Sequence, residues 1–153
     1  MGLCGRIEKE TALIYRALEV RFPDAREVFN RLAMSEENHS ELVEKAILSH
    51  KEGVLPPQFV PGSTLELEHT LYHLERTKKL LSGDPGLGEA CALALELEEL
   101  VGEKYLQEVI GGKIEVELDK KMSGLLHTLS EEEKEHSRII RDFMASRDLT
   151  GHE

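Results

Sequence analysis

The chain has 153 residues, of which 40% are hydrophobic and 32% charged, with a formal net charge of −11. That is enough chain for one domain with a real core, and the composition is that of a globular protein with a charged surface. The acidic balance argues against nucleic acid as a partner, since phosphate repulsion would have to be overcome. No apolar run is long enough to span a bilayer, and two cysteines, Cys4 and Cys91, without a CxxC pair exclude a disulfide framework.

Helical periodicity begins near Leu3 and runs to Phe22, where Pro23-Asp24 breaks it. Asp24 is read as the cap of a second helix, with Glu27 completing a capping box, and that helix runs to about Lys51. Gly53 to Gly62 is a linker, because Pro56, Pro57 and Pro61 forbid regular helix. Ser63, with Glu66 at the box position, opens a third helical stretch ending near Gly83. Asp84-Pro85 reads as a cap followed by proline at the first helical position, opening a helix to about Ile110. Gly111-Gly112 breaks the chain again. The last helix starts near Glu115 and lasts to about Arg147, tolerating Gly124 inside it; the tail from Thr150 to Glu153 frays. Ile114 to Leu118 alternates with period two, but Ile114, Leu118, Met122, Leu125 and Leu129 keep a helical stripe. The fold expected is all-α: four long helices and one connecting helix in a long crossover. The domain plan is a single unit over 1–153, with two similar halves, 1–51 and 84–147, joined by the crossover 52–83.

The halves match in detail. Phe29-x-x-Leu32-x-x-x-Glu36-x-x-His39 parallels Leu126-x-x-Leu129-x-x-x-Glu133-x-x-His136, and Glu8 stands before Tyr15 as Glu98 stands before Tyr105. In both Glu-x-x-His segments the polar pair interrupts an apolar line at three- and four-residue spacing, so it lies on the core face of its helix. A charge there is costly unless paired or bound to metal. Glu8 falls on the stripe Cys4, Thr11, Tyr15, Leu18, Phe22, and Glu98 on the stripe Leu87, Cys91, Ala94, Val101, Tyr105. Two helices giving one Glu each and two giving a Glu–His pair are the ligand set of a dinuclear iron or manganese site in a four-helix bundle. The candidate metal ligands are therefore Glu8, Glu36, His39, Glu98, Glu133 and His136. Glu36 and Glu133 are expected to bridge, with Glu8 and His39 on one ion and Glu98 and His136 on the other. Glu10 is the fallback on the first helix.

Other chemistry-bearing residues carry weaker signals. A third match, Glu66-x-x-His69, lies off the stripe Leu67, Leu71, Leu74, Leu81, and Glu66 already serves as a capping residue. Tyr15 and Tyr105 either hydrogen-bond to a ligand or are core aromatics satisfied elsewhere. Cys4 and Cys91 read as small buried hydrophobes. His69 and His73 read as exposed helix histidines, a surface chelate being the alternative. His50 and His127 carry no signal.

With Glu8-x6-Tyr15, Glu36-x2-His39, Glu98-x6-Tyr105 and Glu133-x2-His136 in that order, and a long crossover after the second, nearly the whole chain resembles the ferritin-like superfamily, most closely the rubrerythrin-type di-iron domain. The resemblance implies a ferritin-like four-helix bundle and two iron ions, with manganese or a mixed iron–manganese pair as the alternative. It implies a di-iron oxidoreductase that reduces peroxide or oxygen by two electrons; iron sequestration of a ferroxidase-like kind, without sustained turnover, is the alternative. Assembly as a homodimer or higher is implied too. Rubrerythrins usually carry a rubredoxin-like module with paired CxxC motifs, which this sequence lacks, so electrons would come from an external donor protein. Many also carry an extra carboxylate where Val101 stands, so movement of iron between alternative ligands is not expected here. The N-terminal stretch lacks the basic-then-apolar layout of a signal peptide, and the expected location is cytoplasmic.

Overall fold

The computed structural model describes the backbone of residues 3–51, 64–100 and 120–149, and the side chains of residues 6–42, 44, 45, 68–100 and 131–149. Among the described residues there is helix and turn but no strand, as the periodicity predicts. No described helix is long and apolar enough to cross a membrane.

The first helix, α1, spans Leu3–Arg21. Its buried line is Ile7, Glu8, Thr11, Ile14, Tyr15 and Leu18, a three-and-four spacing with a carboxylate set into it. Phe22 leaves helical geometry at φ −119°, ψ 83°, and Pro23 starts a 3-10 turn over Pro23–Ala25 that feeds directly into α2, Arg26–Lys51. Asp24 therefore lies inside the turn and is not the cap of α2, contrary to the sequence expectation. Proline with its fixed φ begins the winding one turn earlier than a side-chain cap would. The two helices fold back on one another, and Arg16 of α1 locks them by donating to Asn30 at 2.7 Å and Glu37 at 2.9 Å on α2.

The third helix, α3, spans Thr64–Leu81 and packs on α1 through Thr70, Leu74, Thr77 and Leu81. Ser63 and the side chain of Glu66 lie outside the described residues. After α3, Asp84 adopts φ 65° and its carboxylate receives Arg21 of α1. The N-cap of the next helix, α4, is Gly86, and α4 covers Leu87–Glu98. So Asp84 is not that cap either. It takes the left-handed turn that swings the chain from α3 to α4, a conformation that Asp tolerates better than most residues. Beyond Glu98, positions 99 and 100 wind as π-helix. The expected end near Ile110, the Gly111-Gly112 break and the start of the last helix lie outside the described residues.

The last helix, α5, covers Lys120–Ser146. It ends by a left-handed cap: Asp148 has φ 53° and the Leu149 amide donates to Met144 O at 2.8 Å. That six-to-one bond satisfies a terminal carbonyl and folds Leu149 back against the core. Ile7, Tyr15, Phe29, Leu32, Leu74, Leu97 and Ile140, from all five helices, share one apolar cluster. α1 packs on α2, α4 on α5, and α2 on α5, with α3 against α1 and α4.

Candidate metal centre

At one level of this core the apolar lines are replaced by acid and imidazole. Glu8 from α1, Glu36 and His39 from α2, Glu98 from α4, and Glu133 and His136 from α5 are each no more than 3% exposed. All six sequence-predicted ligands therefore come together. Glu36, His39, Glu133 and His136 each offer one ligand atom within 4.8 Å of the others, an arrangement able to hold a metal ion.

The distances are organised about the two imidazoles. His39 Nδ1 lies 3.6 Å from Glu8 Oε2 and 3.5 Å from Glu36 Oε2, and it meets Glu133 Oε1 more closely still. His136 Nδ1 lies 2.9 Å from Glu36 Oε1, 3.3 Å from Glu98 Oε2 and 4.0 Å from Glu133 Oε2. Glu36 and Glu133 thus reach both rings, Glu8 belongs to His39 and Glu98 to His136. The rings stack with centroids 5.2 Å apart and planes 17° from parallel.

Four carboxylates buried side by side repel one another, and the site answers by holding protons. Burial, and next the neighbouring charge of Glu36, push the Glu8 carboxyl up to about 8. Glu133 is raised by burial and by Glu8. Burial works against charge on His39, but Glu133, Glu36 and Glu8 outweigh it and hold the imidazolium well above the usual histidine range. His136 is raised likewise by Glu36 and Glu98, against burial. These directions belong to a cluster balancing negative charge with protons alone; divalent cations take over that balance and displace the protons.

Tyr15 is fully buried, stacks on Phe29, and donates its hydroxyl to Glu98 Oε1. It therefore supports a ligand of the other half rather than Glu8, two turns away on its own helix. Burial and the Glu98 charge raise its ionisation far above the usual range, so the hydroxyl keeps its proton to donate. Tyr105 and Val101 lie outside the described residues. Glu10 faces away from the cluster and pairs with Lys78 of α3. His69 is exposed, and its Nε2 sits 3.1 Å from Nε2 of His73. Cys91 is a buried free thiol that burial pushes up to about 11, far from a reactive thiolate. The side chains of Cys4, His50 and His127 lie outside those described.

Two further residues complete the site without having drawn notice in the sequence. Glu132 Oε2 lies 2.8 Å from His39 Nε2, and Ser35 Oγ lies 2.7 Å from His136 Nε2. Each stands four residues before a histidine of its own helix but engages the histidine of the other helix, so spacing along the chain does not flag the contact.

The donor set can be tested on its loose ends. His39 Nδ1, His136 Nδ1 and Glu133 Oε1 are buried and have no hydrogen-bond partner, although carboxylates or imidazoles lie at close range. A buried polar atom left unpaired costs free energy of about 1–3 kcal/mol. Here His39 Nδ1 faces Glu133, Glu36 and Glu8, His136 Nδ1 faces Glu36, Glu98 and Glu133, and each imidazole has its outer nitrogen already engaged. That is the preparation a cation requires of a histidine ligand, so the residues fit a metal. No family model matches this chain, and neither the curated proteins nor the solved structures contain a match to it.

Proposed function

We propose that the chain is a ferritin-like four-helix bundle, with α3 in its crossover, that holds two iron ions and works as a rubrerythrin-type oxidoreductase on peroxide or oxygen. The observation that carries this reading is the pair of buried Nδ1 atoms facing four carboxylates with no hydrogen-bond partner. Glu36 and Glu133, each within reach of both imidazoles, would be shared between the two ions, and Glu8 with His39, and Glu98 with His136, would each hold one. Two positions would bring the four carboxylate charges to balance with two divalent ions. Oxygen-rich ligation with one imidazole per ion favours iron or manganese over zinc, which prefers fewer ligands and often sulfur.

When bound, a ferrous pair supplies one electron per ion, which is what a two-electron reduction of peroxide or oxygen takes up. The chain's own part is ligation, orientation and exclusion of water. Tyr15 fixes the rotamer of Glu98 by its hydrogen bond, and Phe29 holds the Tyr15 ring. His39 and His136 keep Nδ1 inward because Glu132 and Ser35 engage Nε2. Ile7, Leu32 and Ile140, all nearly inaccessible, keep the surroundings dry. An external donor protein would return the electrons.

Elemental analysis of protein purified without added metal, followed by peroxide addition to the anaerobic ferrous form, tests the reading. Two irons per chain and rapid oxidation, sustained when a reductant is supplied, are expected. Manganese in place of iron corrects the cofactor. A single stoichiometric oxidation without turnover makes this an iron-holding protein instead. Ferrous spectra unchanged by peroxide remove the oxidoreductase.

A further inference from the structure

Among the described residues, the matched halves of the site differ in what stands behind each imidazole. Ser35 precedes Glu36 and Glu132 precedes Glu133, so the two occupy the same place in their motifs. Each is one helical turn before a histidine, on the same side of its helix. Because α2 and α5 lie against one another here, each reaches the imidazole of the opposite helix: Glu132 backs His39 at 2.8 Å, and Ser35 backs His136 at 2.7 Å. Ser35 Oγ is also 3.4 Å from His39 Nε2, too long to compete with the carboxylate.

The Glu132 carboxylate, which can only accept, selects the tautomer of His39 with the hydrogen on Nε2; the Ser35 hydroxyl can accept from Nε2 of His136 in the same tautomer but does not enforce it, and both rings turn Nδ1 to the cluster. The two outer contacts differ in strength. A carboxylate behind an imidazole makes a charge-assisted hydrogen bond and raises the electron density on the ligating nitrogen. A hydroxyl does this far less. The contacts of the two inner nitrogens are nearly balanced: each Nδ1 has one carboxylate of its own and shares Glu36 and Glu133.

We infer that Glu132 and Ser35 make the two cation positions unequal, so that the position on His39 fills first and the position on His136 second. This rests on the two-ion reading above and goes beyond it by ordering the ions. Glu132 and Ser35 are positioning residues, since neither offers an atom to the cluster. One consequence is that a singly loaded form accumulates at limiting metal, with its ion on His39.

The test is an anaerobic titration of the full, metal-free chain with Co(II), followed by visible absorption and calorimetry. Two ions per chain, in two resolved steps, are expected. Glu132→Gln keeps the hydrogen bond and removes the charge. It should weaken the first step about 10- to 100-fold and leave the second in place. Ser35→Ala should weaken the second step alone. Glu132 is half-exposed and Ser35→Ala removes a single oxygen, so both variants keep the helices, checked by circular dichroism. Equal filling of both positions in the wild type overturns the inference. So does Glu132→Gln acting on both steps alike, or on the second only. Binding of only one ion by the wild type removes the two-ion reading itself, and the ordering with it, whereas two ions bound without order removes the ordering alone.

Discussion

Glu8 is surrounded by groups that make its negative charge expensive, and the consequence is measurable. A group whose ionisation is raised by folding keeps its proton in the folded chain after the unfolded chain has lost it. Its contribution to stability is full below the unfolded value and drains away as pH rises through the folded one. For Glu8 the window runs from 4.5 to about 8. Glu133 drains in the same direction, and His39 and His136 extend the loss upward from 6.5. Metal-free protein should therefore lose stability steadily from about pH 5 to about pH 9, read as a falling urea midpoint. Metal-loaded protein should show the opposite trend in its metal affinity, because cations compete with protons for the same atoms. Glu8→Gln is a neutral stand-in for the protonated acid. It should match the wild-type, metal-free stability near pH 5 to within about 1 kcal/mol, flatten the decline attributed to Glu8, and bind metal more weakly. An unchanged slope would show that Glu8 is ionised throughout.

Among the elements, α4 depends most on fine packing. Its inward positions Ala90, Cys91 and Ala94 are small and almost wholly buried, which lets the helix lie close to its neighbours and sets the depth of Glu98 one turn later. Ala94→Leu should cost about 1–3 kcal/mol by overpacking and push Glu98 away from His136. Urea unfolding would report the first effect and metal content the second. The ion pairs that tie the helices, Arg16 to Glu37 and Arg141 to Glu99, are mostly solvated and worth little by comparison. The helices themselves were legible because apolar residues recur at three- and four-residue spacing, as in Phe29, Leu32 and Ile140, each about 1% exposed or less. The cap residues were not legible. Asp24 and Asp84 have the chemistry of caps, but the prolines beside them decide the backbone, placing one in a 3-10 turn and the other at positive φ. Helix-forming preference is local information; whether a turn is tightened or swung is settled by what the next helix packs against.

For the whole molecule, the cluster gathers its carboxylates and imidazoles from four helices, so anything bound there would tie together segments 8 to 136 of the chain. A cation that binds only the folded form stabilises it by mass action, about 2.7 kcal/mol when free metal is a hundred times the dissociation constant. Chelation should accordingly lower the thermal midpoint, and re-addition of the metal should restore it; a midpoint indifferent to chelator would mean that no cation is held in the core. The six clustered residues could be read from the sequence because each breaks an apolar line, whereas Glu10, equally acidic, sits off the line and pairs with Lys78. Ser35, Glu132 and the partner of Tyr15 could not, because all three act across the contact between halves, and one-dimensional spacing is silent about which residue of another helix stands opposite.

That crosswise habit has a consequence for how the chain can be cut. Tyr15 steadies an acid that belongs to the later half, Glu132 backs an imidazole of the earlier one, and Ser35 returns the favour. Severed between positions 52 and 63, the molecule would yield two pieces that are each incomplete in the other's residues. Neither piece is thereby self-sufficient: mixed together, the pieces should reassemble as an unlike pair in preference to twins of either one.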